Sequence, residues 1–134
     1  MSTNFEVLLD AAQEAKKNAY APYSHFHVGA ALITEGGKIY SGCNVENTSY
    51  GLTICAERNA IFQMVAEGER KISEILIIGD AKEFLPPCGA CRQVMSEFSS
   101  KDTIVYMCTQ SGEVKKVTMA DILPFTFFLE STPK

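Results

Sequence analysis

The sequence predicts an α/β protein, a three-layer α/β/α sandwich built on a mixed five-stranded sheet. Helical and strand patterns alternate along most of the chain, and two early strand patterns flank a glycine pair typical of a hairpin. A later segment, 74–78, is almost continuously apolar. Such a strand is typical of a position covered on both faces, so helices are expected on both sides of the sheet.

The first half of the chain predicts a helix, a hairpin and a second helix. Apolar residues recur at helical spacing between Phe5 and Ala15, which predicts the first helix. Gly36-Gly37 fits a two-residue hairpin turn, because positive φ is cheap for glycine. Polar residues 44–54 indicate a loop. The predicted elements are helix 4–19, strand 28–34, strand 38–43, helix 56–66, strand 74–78, helix 88–98, strands 103–108 and 114–118, and a helical turn over 120–123.

Glycine and proline separate the elements of the second half. Gly68 ends the second helix, since glycine is favoured just beyond a helix C-terminus. Leu85-Pro86-Pro87 breaks the chain before the third helix, and Ser111-Gly112 supplies a turn between the last two strands. Pro124 stops the final helical turn.

Length and composition are those of one globular domain spanning residues 1–134. The chain is 46% hydrophobic and 21% charged, so it can bury a core without disulfides. The net charge of -4 and the pI of about 5.2 argue against a nucleic-acid partner, which usually requires a basic face.

The sequence carries no signal for export or membrane insertion. Residues 1–10 lack a basic start followed by an apolar block, so no signal peptide is expected. The strongly apolar run 75–78 is far too short for a bilayer span, and a cytoplasmic protein is expected. The five cysteines are then expected as thiols or metal ligands.

Three cysteines at two predicted helix starts form a candidate metal site. Cys88 and Cys91 are three residues apart, so one helical face presents both sulfurs. Cys55, at the start of the other helix, can complete a three-thiolate site. Three protein ligands leave one position of a tetrahedral zinc free for water. The sequence therefore predicts one catalytic Zn²⁺ per chain.

The residues around the cysteines suggest how such a site works. Helix N-termini favour thiolates, and three of them leave zinc with a net charge of about -1. Arg58 and Arg92 lie three and four residues after a cysteine and can donate to sulfur, with Gln93 as a neutral candidate for the same role. Glu57 is two residues from Cys55, so it need not be a ligand and can act as a general acid and base.

Other interpretations of the cysteines remain open on the residues alone. A Cys-x-x-Cys pair also occurs in redox proteins and in structural zinc ribbons. A closed structural site needs a fourth ligand, and Cys43 and Cys108 are available, but each falls in an apolar strand where an inert thiol is common. His25 and His27 are interpreted as ordinary polar positions of an extended stretch.

Taken together, the motifs resemble those of zinc deaminases in the variant with three cysteines. The resemblance is closest to the small homotetrameric cytidine deaminases and covers nearly the whole chain. The matching segments are Ala19-Tyr20-Ala21-Pro22-Tyr23-Ser24, Phe26, Val28-Gly29-Ala30-Ala31, Gly42-Cys43-Asn44-Val45-Glu46-Asn47, Ser49-Tyr50-Gly51, Cys55-Ala56-Glu57-Arg58, Pro87-Cys88-Gly89-Ala90-Cys91-Arg92-Gln93 and Leu123-Pro124.

The resemblance implies substrate-binding roles at matching positions. Asn44 and Glu46 are similar to a pair that hydrogen-bonds the ribose, with loop capping as the alternative interpretation. Phe26 resembles the aromatic residue that stacks on the pyrimidine, although a plain core residue is the commoner case for phenylalanine. The implied roles of the remaining residues concern the base and the subunit contacts: Ala56 N–H donating to O2, Pro86 carbonyl accepting from the departing amine, and Tyr50 and Phe127 entering a neighbour's active site in a homotetramer.

The implied reaction is hydrolytic deamination of cytidine and deoxycytidine to uridine and deoxyuridine plus ammonia. Zinc-bound hydroxide attacks C4, and Glu57 moves protons to N3 and then to the amino group. An alternative within the family is a deaminase of a related aminopyrimidine nucleoside such as blasticidin S. A nucleic-acid-editing deaminase needs a basic groove that this acidic chain lacks. A silent zinc or redox module would not require Glu57 beside the ligand.

Overall fold

The computed structural model describes residues 2–129 and 132 and confirms the predicted element order. The prediction of one domain over 1–134 extends to residues 1, 130, 131, 133 and 134, which lie outside the described residues. The elements are α1 (Phe5–Lys16), β1 (Val28–Thr34), β2 (Ile39–Cys43), α2 (Ala56–Ala66), β3 (Ile72–Gly79), α3 (Gly89–Glu97), β4 (Ile104–Cys108), β5 (Val114–Thr118) and α4 (Met119–Ile122).

Five strands form one mixed sheet in the order β2-β1-β3-β4-β5. Only the central β3–β4 pair is parallel, with Ile75 opposite Val105, and the other three pairs are antiparallel. The parallel pair requires a crossover, and the segment containing α3 supplies it. After the end of β3 the chain enters the loop that carries Cys88, then passes through α3 and reaches the start of β4.

Each face of the sheet is covered by its own helices, as the apolar β3 segment predicts. Ile75 and Ile77 belong to a hydrophobic cluster shared with α2 and α3, whereas Leu76 and Ile78 belong to a second cluster shared with α1. The alternation follows from the period of two along a strand. Among the described residues, no helix combines the length and apolar character needed to cross a membrane.

The hairpin between β1 and β2 differs from the prediction. A two-residue Gly36-Gly37 turn was expected, but Thr34 N donates to Lys38 O at 2.8 Å, so three residues lie in the loop. Gly37 has φ of 86°, the left-handed conformation that ends a three-residue hairpin loop. Two adjacent glycines permit either turn, and the strand register selects the longer one.

Gly42 lets α2 approach β2 at a distance that no side chain would permit. A Cβ at this position would lie 2.6 Å from Ala60 N and 2.7 Å from Ala56 O, both backbone atoms of α2. Because backbone of a packed helix cannot move away cheaply, the closeness of this approach depends on glycine.

Gly42→Ala is expected to lower the free energy of unfolding by about 3 kcal/mol, at the upper end of the range for overpacked cores. The matched control is Gly51→Ala, because a Cβ at Gly51 would have no neighbour within 4 Å. Urea denaturation of the two variants measures the difference. Equal stabilities for both would show that the α2–β2 contact does not depend on Gly42.

Candidate active site

Two helices on the same face of the sheet bring the candidate ligands together. Cys55 and Cys88 are the N-cap residues of α2 and α3, each with extended backbone, and α2 packs against α3. Cys91 lies in the first turn of α3, where its backbone N–H donates to Cys88 Sγ at 3.5 Å. The N-terminal ends of both helices therefore meet at one cluster of sulfur atoms.

The three thiols fit a zinc ion. Cys55 Sγ and Cys88 Sγ are 3.9 Å apart, and all three sulfurs lie within 4.8 Å of one another. Zinc–sulfur bonds of about 2.3 Å in a tetrahedron place two sulfurs about 3.8 Å apart. Small movements would bring the cluster to that geometry. Among the described residues, no other group of three metal-ligating side chains is close enough to hold an ion.

The cluster favours thiolate at Cys55. A hydrogen bond from Cys91 has the largest effect and, with donation from Arg58, lowers the pKa of the Cys55 thiol to about 5 despite burial. The same hydrogen bond to Cys55, together with burial, raises the pKa of Cys91. Arg58 Nη2 lies 3.6 Å from Cys55 Sγ, the contact that their spacing predicts. The guanidinium thus places positive charge beside a site that becomes anionic when three thiolates bind a dication.

Glu57 is a buried carboxyl group next to the sulfur cluster. It is the second residue of α2, and only 4% of its surface is exposed. Burial raises the pKa of Glu57 to about 7, with the nearby charge of Cys55 acting in the same direction. A carboxyl group that changes protonation near neutral pH is suited to both accepting and donating a proton.

Arg92 and Gln93 lie in α3 and donate to backbone oxygens. Arg92 Nε donates to Pro87 O at 2.7 Å, and Nη1 donates to Ile122 O at 2.9 Å. Gln93 Nε2 donates to Phe127 O at 3.4 Å. These contacts differ from the sulfur contacts expected of both residues, because nearby backbone carbonyls provide the acceptors. Arg92 instead ties the loop before Cys88 to the end of α4.

Asn44 and Glu46 follow the end of β2 and are already hydrogen-bonded within the protein. Asn44 is 8% exposed; its Oδ1 accepts from Val28 N at 2.9 Å, and its Nδ2 donates to Phe26 O at 2.8 Å. Glu46 Oε1 accepts from Tyr23 N and Ser24 N, both at 3.1 Å. Both side chains therefore bind backbone groups of a loop, which is the alternative interpretation given in the sequence analysis.

Phe26, Ala56 and Pro86 border the same end of the sheet. Phe26 is half-buried, and its ring lies beside Gly79 at the end of β3, where a Cβ would come within 3.3 Å of the ring. Ala56 N–H is the first of α2, and the first N–H groups of a helix have no acceptor within the helix. Pro86 is exposed and lies two residues before Cys88.

Tyr50 and Phe127 are exposed aromatic side chains. Tyr50 is 76% exposed and contacts Tyr23 edge to face, with ring centroids 6.1 Å apart. Tyr50, Tyr23, Glu46 and neighbouring residues line an open cleft of about 340 Å³. Phe127 is 69% exposed. Neither side chain reaches the core of this chain.

A larger cleft of about 550 Å³ lies between α1 and the loop after β3, away from the thiols. Its central charged groups neutralise one another, since Asp80 accepts from Lys16 at 2.8 Å and from the His27 ring at 2.9 Å. Burial alone would raise the pKa of Asp80, but these hydrogen bonds lower it to about 2. Asp80 is therefore already bonded to two other residues of this cleft.

The remaining cysteines do not complete a structural zinc site. Cys108 belongs to the hydrophobic cluster on the α1 face of the sheet, and burial raises the pKa of its thiol to about 11. Burial also raises the pKa of Cys43. Both thiols thus have the character predicted for inert cysteines in strands.

Sequence reasoning did not assign individual roles to Ser24 and Asn59, which support the site. Ser24 Oγ donates to Glu46 Oε2 and accepts from Phe26 N at 3.0 Å. Asn59 Nδ2 donates to Cys43 O at 2.8 Å and links α2 to the end of β2. A serine whose hydroxyl accepts from the backbone N–H two residues later is typical of a local turn, which is the only signal for Ser24. The Asn59 contact spans 16 residues and has no local signal.

Comparisons with known proteins agree with the geometry. The family model of the cytidine and deoxycytidylate deaminase zinc-binding region matches residues 2–108. A cytidine deaminase of Halalkalibacterium halodurans is 46% identical over 125 residues, covering 93% of this chain and 95% of that protein. A cytidine deaminase of Sporosarcina psychrophila is 43% identical over 125 residues, covering 93% of this chain and 92% of the relative.

The fold is also similar to that of solved structures. The crystal structure of a cytidine deaminase from Burkholderia pseudomallei superposes with a TM-score of 0.88 at 45% identity. The match covers 95% of this chain and 100% of that chain. The α/β/α fold and its three-thiol site define a zinc-dependent deaminase. This chain belongs to the cytidine and deoxycytidylate deaminase family.

Proposed function

We propose that this protein catalyses the hydrolytic deamination of cytidine and deoxycytidine to uridine and deoxyuridine, with release of ammonia. One observation carries the proposal: three thiols arranged for zinc have a buried carboxyl group, Glu57, directly beside them. A structural zinc site has four protein ligands and needs no such acid. The relatives described above bear the name cytidine deaminase, which supports the same substrate.

Cys55, Cys88 and Cys91 would hold the metal. When bound there, zinc supplies Lewis-acid chemistry that lowers the pKa of a water molecule at its open position. Glu57 accepts a proton from the attacking water, delivers it to N3 of the cytosine ring and then transfers a proton to the departing amino group. C4 gains an oxygen and loses ammonia, so atoms and charge balance without an oxidant.

Five further groups would orient the base and the ribose. Phe26 stacks on the pyrimidine, Ala56 N–H donates to O2, and Pro86 O accepts from the departing amine. Asn44 and Glu46 bind the ribose hydroxyls. Glu46 has about four acceptor sites in its carboxylate and uses three within the protein, so one remains for a hydroxyl.

Purified protein mixed with cytidine tests the proposal. The expected result is loss of the cytidine ultraviolet absorbance, with ammonia and uridine released in equal amounts. A control sample stripped of zinc by a chelator should be inactive and should recover on addition of zinc. Zinc-loaded protein that leaves cytidine unchanged would contradict the proposed function.

Phosphorylated substrates are expected to be poor. The hydrogen bond from Ser24 lowers the pKa of Glu46, so its carboxylate is ionised at neutral pH. Glu46 is proposed to accept from the ribose 3′-hydroxyl, so its negative charge would repel a 3′-phosphate, and the net charge of -4 offers no compensating field. A competition assay should show turnover of cytidine and deoxycytidine but not of cytidine 3′-phosphate, cytidine 5′-phosphate or single-stranded DNA. Equal turnover of these would contradict a free-nucleoside enzyme.

The enzyme is further proposed to be a homotetramer whose subunits share active sites. The exposure of Tyr50 and Phe127 supports this, because exposed aromatic side chains near a site are typical of subunit contacts. Sedimentation at assay concentration should give the mass of four chains. A fully active monomer would contradict the shared site.

The proposal also includes a single catalytic domain over 1–134 and a location in the reducing cytoplasm. The five free cysteines are compatible with that location.

A further inference from the structure

Phe26 lies on a loop whose backbone is not held by regular secondary structure. The loop joins α1 to β1, and His25, directly before Phe26, has φ of 58°. Residues other than glycine adopt this left-handed conformation uncommonly, and its cost is offset by contacts with the surrounding structure. The position of the Phe26 ring therefore depends on contacts made by the loop with other segments.

The carboxylate of Glu46 binds the middle of the loop, between the backbone contacts of Tyr20 and Phe26. It accepts from two consecutive backbone N–H groups, Tyr23 and Ser24, both at 3.1 Å, and from the Ser24 hydroxyl. Ser24 Oγ in turn accepts from Phe26 N at 3.0 Å. A continuous path of hydrogen bonds thus runs from the carboxylate through Ser24 to the backbone of Phe26.

Asn44 holds the other side of the same residue. Its Nδ2 donates to Phe26 O at 2.8 Å, and its Oδ1 accepts from Val28 N at 2.9 Å. The backbone N–H and C=O of Phe26 are consequently both bound by side chains. All of these contacts are made between groups of the protein itself.

We propose that Glu46 is a positioning residue, acting through Ser24 to hold the Phe26 loop against β3 before substrate binds. This inference rests on the proposed function for its kinetic consequence, since Phe26 is proposed to stack on the pyrimidine. It adds a role to Glu46 beyond a ribose contact. Ser24 has no proposed contact with substrate. The inference gives it an indirect role, because it helps to position the Phe26 ring that stacks on the base.

The variants Ser24→Ala, Glu46→Ala and Glu46→Gln test the inference, with Glu14→Gln as control. Glu14 is an exposed acid on α1 that pairs only with Lys17 among its described contacts. Hydrogen exchange of the ligand-free protein should be about 10-fold faster over residues 21–28 in Ser24→Ala and Glu46→Ala, with 75–78 in β3 unchanged. Glu46→Gln should retain part of the protection, because its amide oxygen still accepts from the two backbone N–H groups.

Cytidine kinetics supply the second measurement. Ser24→Ala should lower kcat/KM by about 10-fold, a loss of the size expected from misplacing a substrate-orienting group. The double variant Ser24→Ala/Glu46→Ala should lose less than the product of the single losses, because both act along one path. Glu14→Gln should match the wild type in both measurements.

Two results would overturn the inference. One is unchanged exchange over 21–28 in Ser24→Ala and Glu46→Ala. The other is wild-type kcat/KM in Ser24→Ala while Glu46→Ala is impaired, which would assign Glu46 to the ribose alone. Failure of the zinc-loaded wild type to turn over cytidine would instead contradict the proposed function, so the two failures are distinguishable.

Discussion

Replacing Glu57 with glutamine is expected to lower turnover of cytidine by about 10²–10⁴-fold, the range for loss of a positioned proton-transfer group. Glutamine has nearly the same shape but cannot carry a proton between water and N3. The site should otherwise persist, because Glu57 is not one of the three ligands and stands at the first turn of α2. The variant should therefore bind one zinc per chain and remain folded.

Steady-state kinetics and elemental analysis of the same sample measure both parts of this expectation. Glu67→Gln is the matched control, since Glu67 is an exposed acid at the other end of α2. Near-normal turnover in Glu57→Gln would show that another group moves the proton. Loss of zinc in that variant would instead indicate that the carboxylate is needed to hold the metal.

Cys88→Ala is expected to abolish both zinc binding and activity. Loss of a residue that only hydrogen-bonds a metal ligand lowers metal affinity by up to about 100-fold. Cys88→Ala removes a ligand itself, so zinc affinity should fall by more than that. Cys88 is exposed, and its sulfur lies only 3.9 Å from that of Cys55. The substitution therefore removes a ligand with little disturbance of the core.

Cys108→Ala provides the control, because it removes a thiol on the α1 face of the sheet, outside the sulfur cluster. Competition with a chelator of known zinc affinity under reducing conditions should give wild-type binding for this variant. Full zinc content in Cys88→Ala would contradict its assignment as a ligand.

The parts of the structure that local patterns control were predictable from the sequence. The apolar run 74–78 predicts a strand covered on both faces, and the structure places alternate residues in the two clusters. The spacing of Cys88 and Cys91 places both sulfurs at one helix start, and the structure brings Cys55 to them. The order of the strands was not predictable, because it depends on pairing between distant segments.

The differences arise where several local solutions compete. Gly36-Gly37 permits more than one hairpin loop, and strand register decides between them. The spacing of Arg92 allows a contact with sulfur, but the carbonyls of Pro87 and Ile122 receive its hydrogen bonds. His25 was expected in an extended stretch but has φ of 58°, and its backbone N–H donates to Ala21 O at 3.0 Å, which closes a turn.

The most direct test of hydrolytic deamination at this site is the origin of the oxygen in the product. Zinc-loaded enzyme is mixed with cytidine in water enriched in oxygen-18, and the uridine is analysed by mass spectrometry. Attack of water at C4 predicts one heavy oxygen at that carbon of each uridine formed, with an equal amount of ammonia released. Uridine that carries no label from water, or no uridine at all, would contradict hydrolytic deamination by this enzyme.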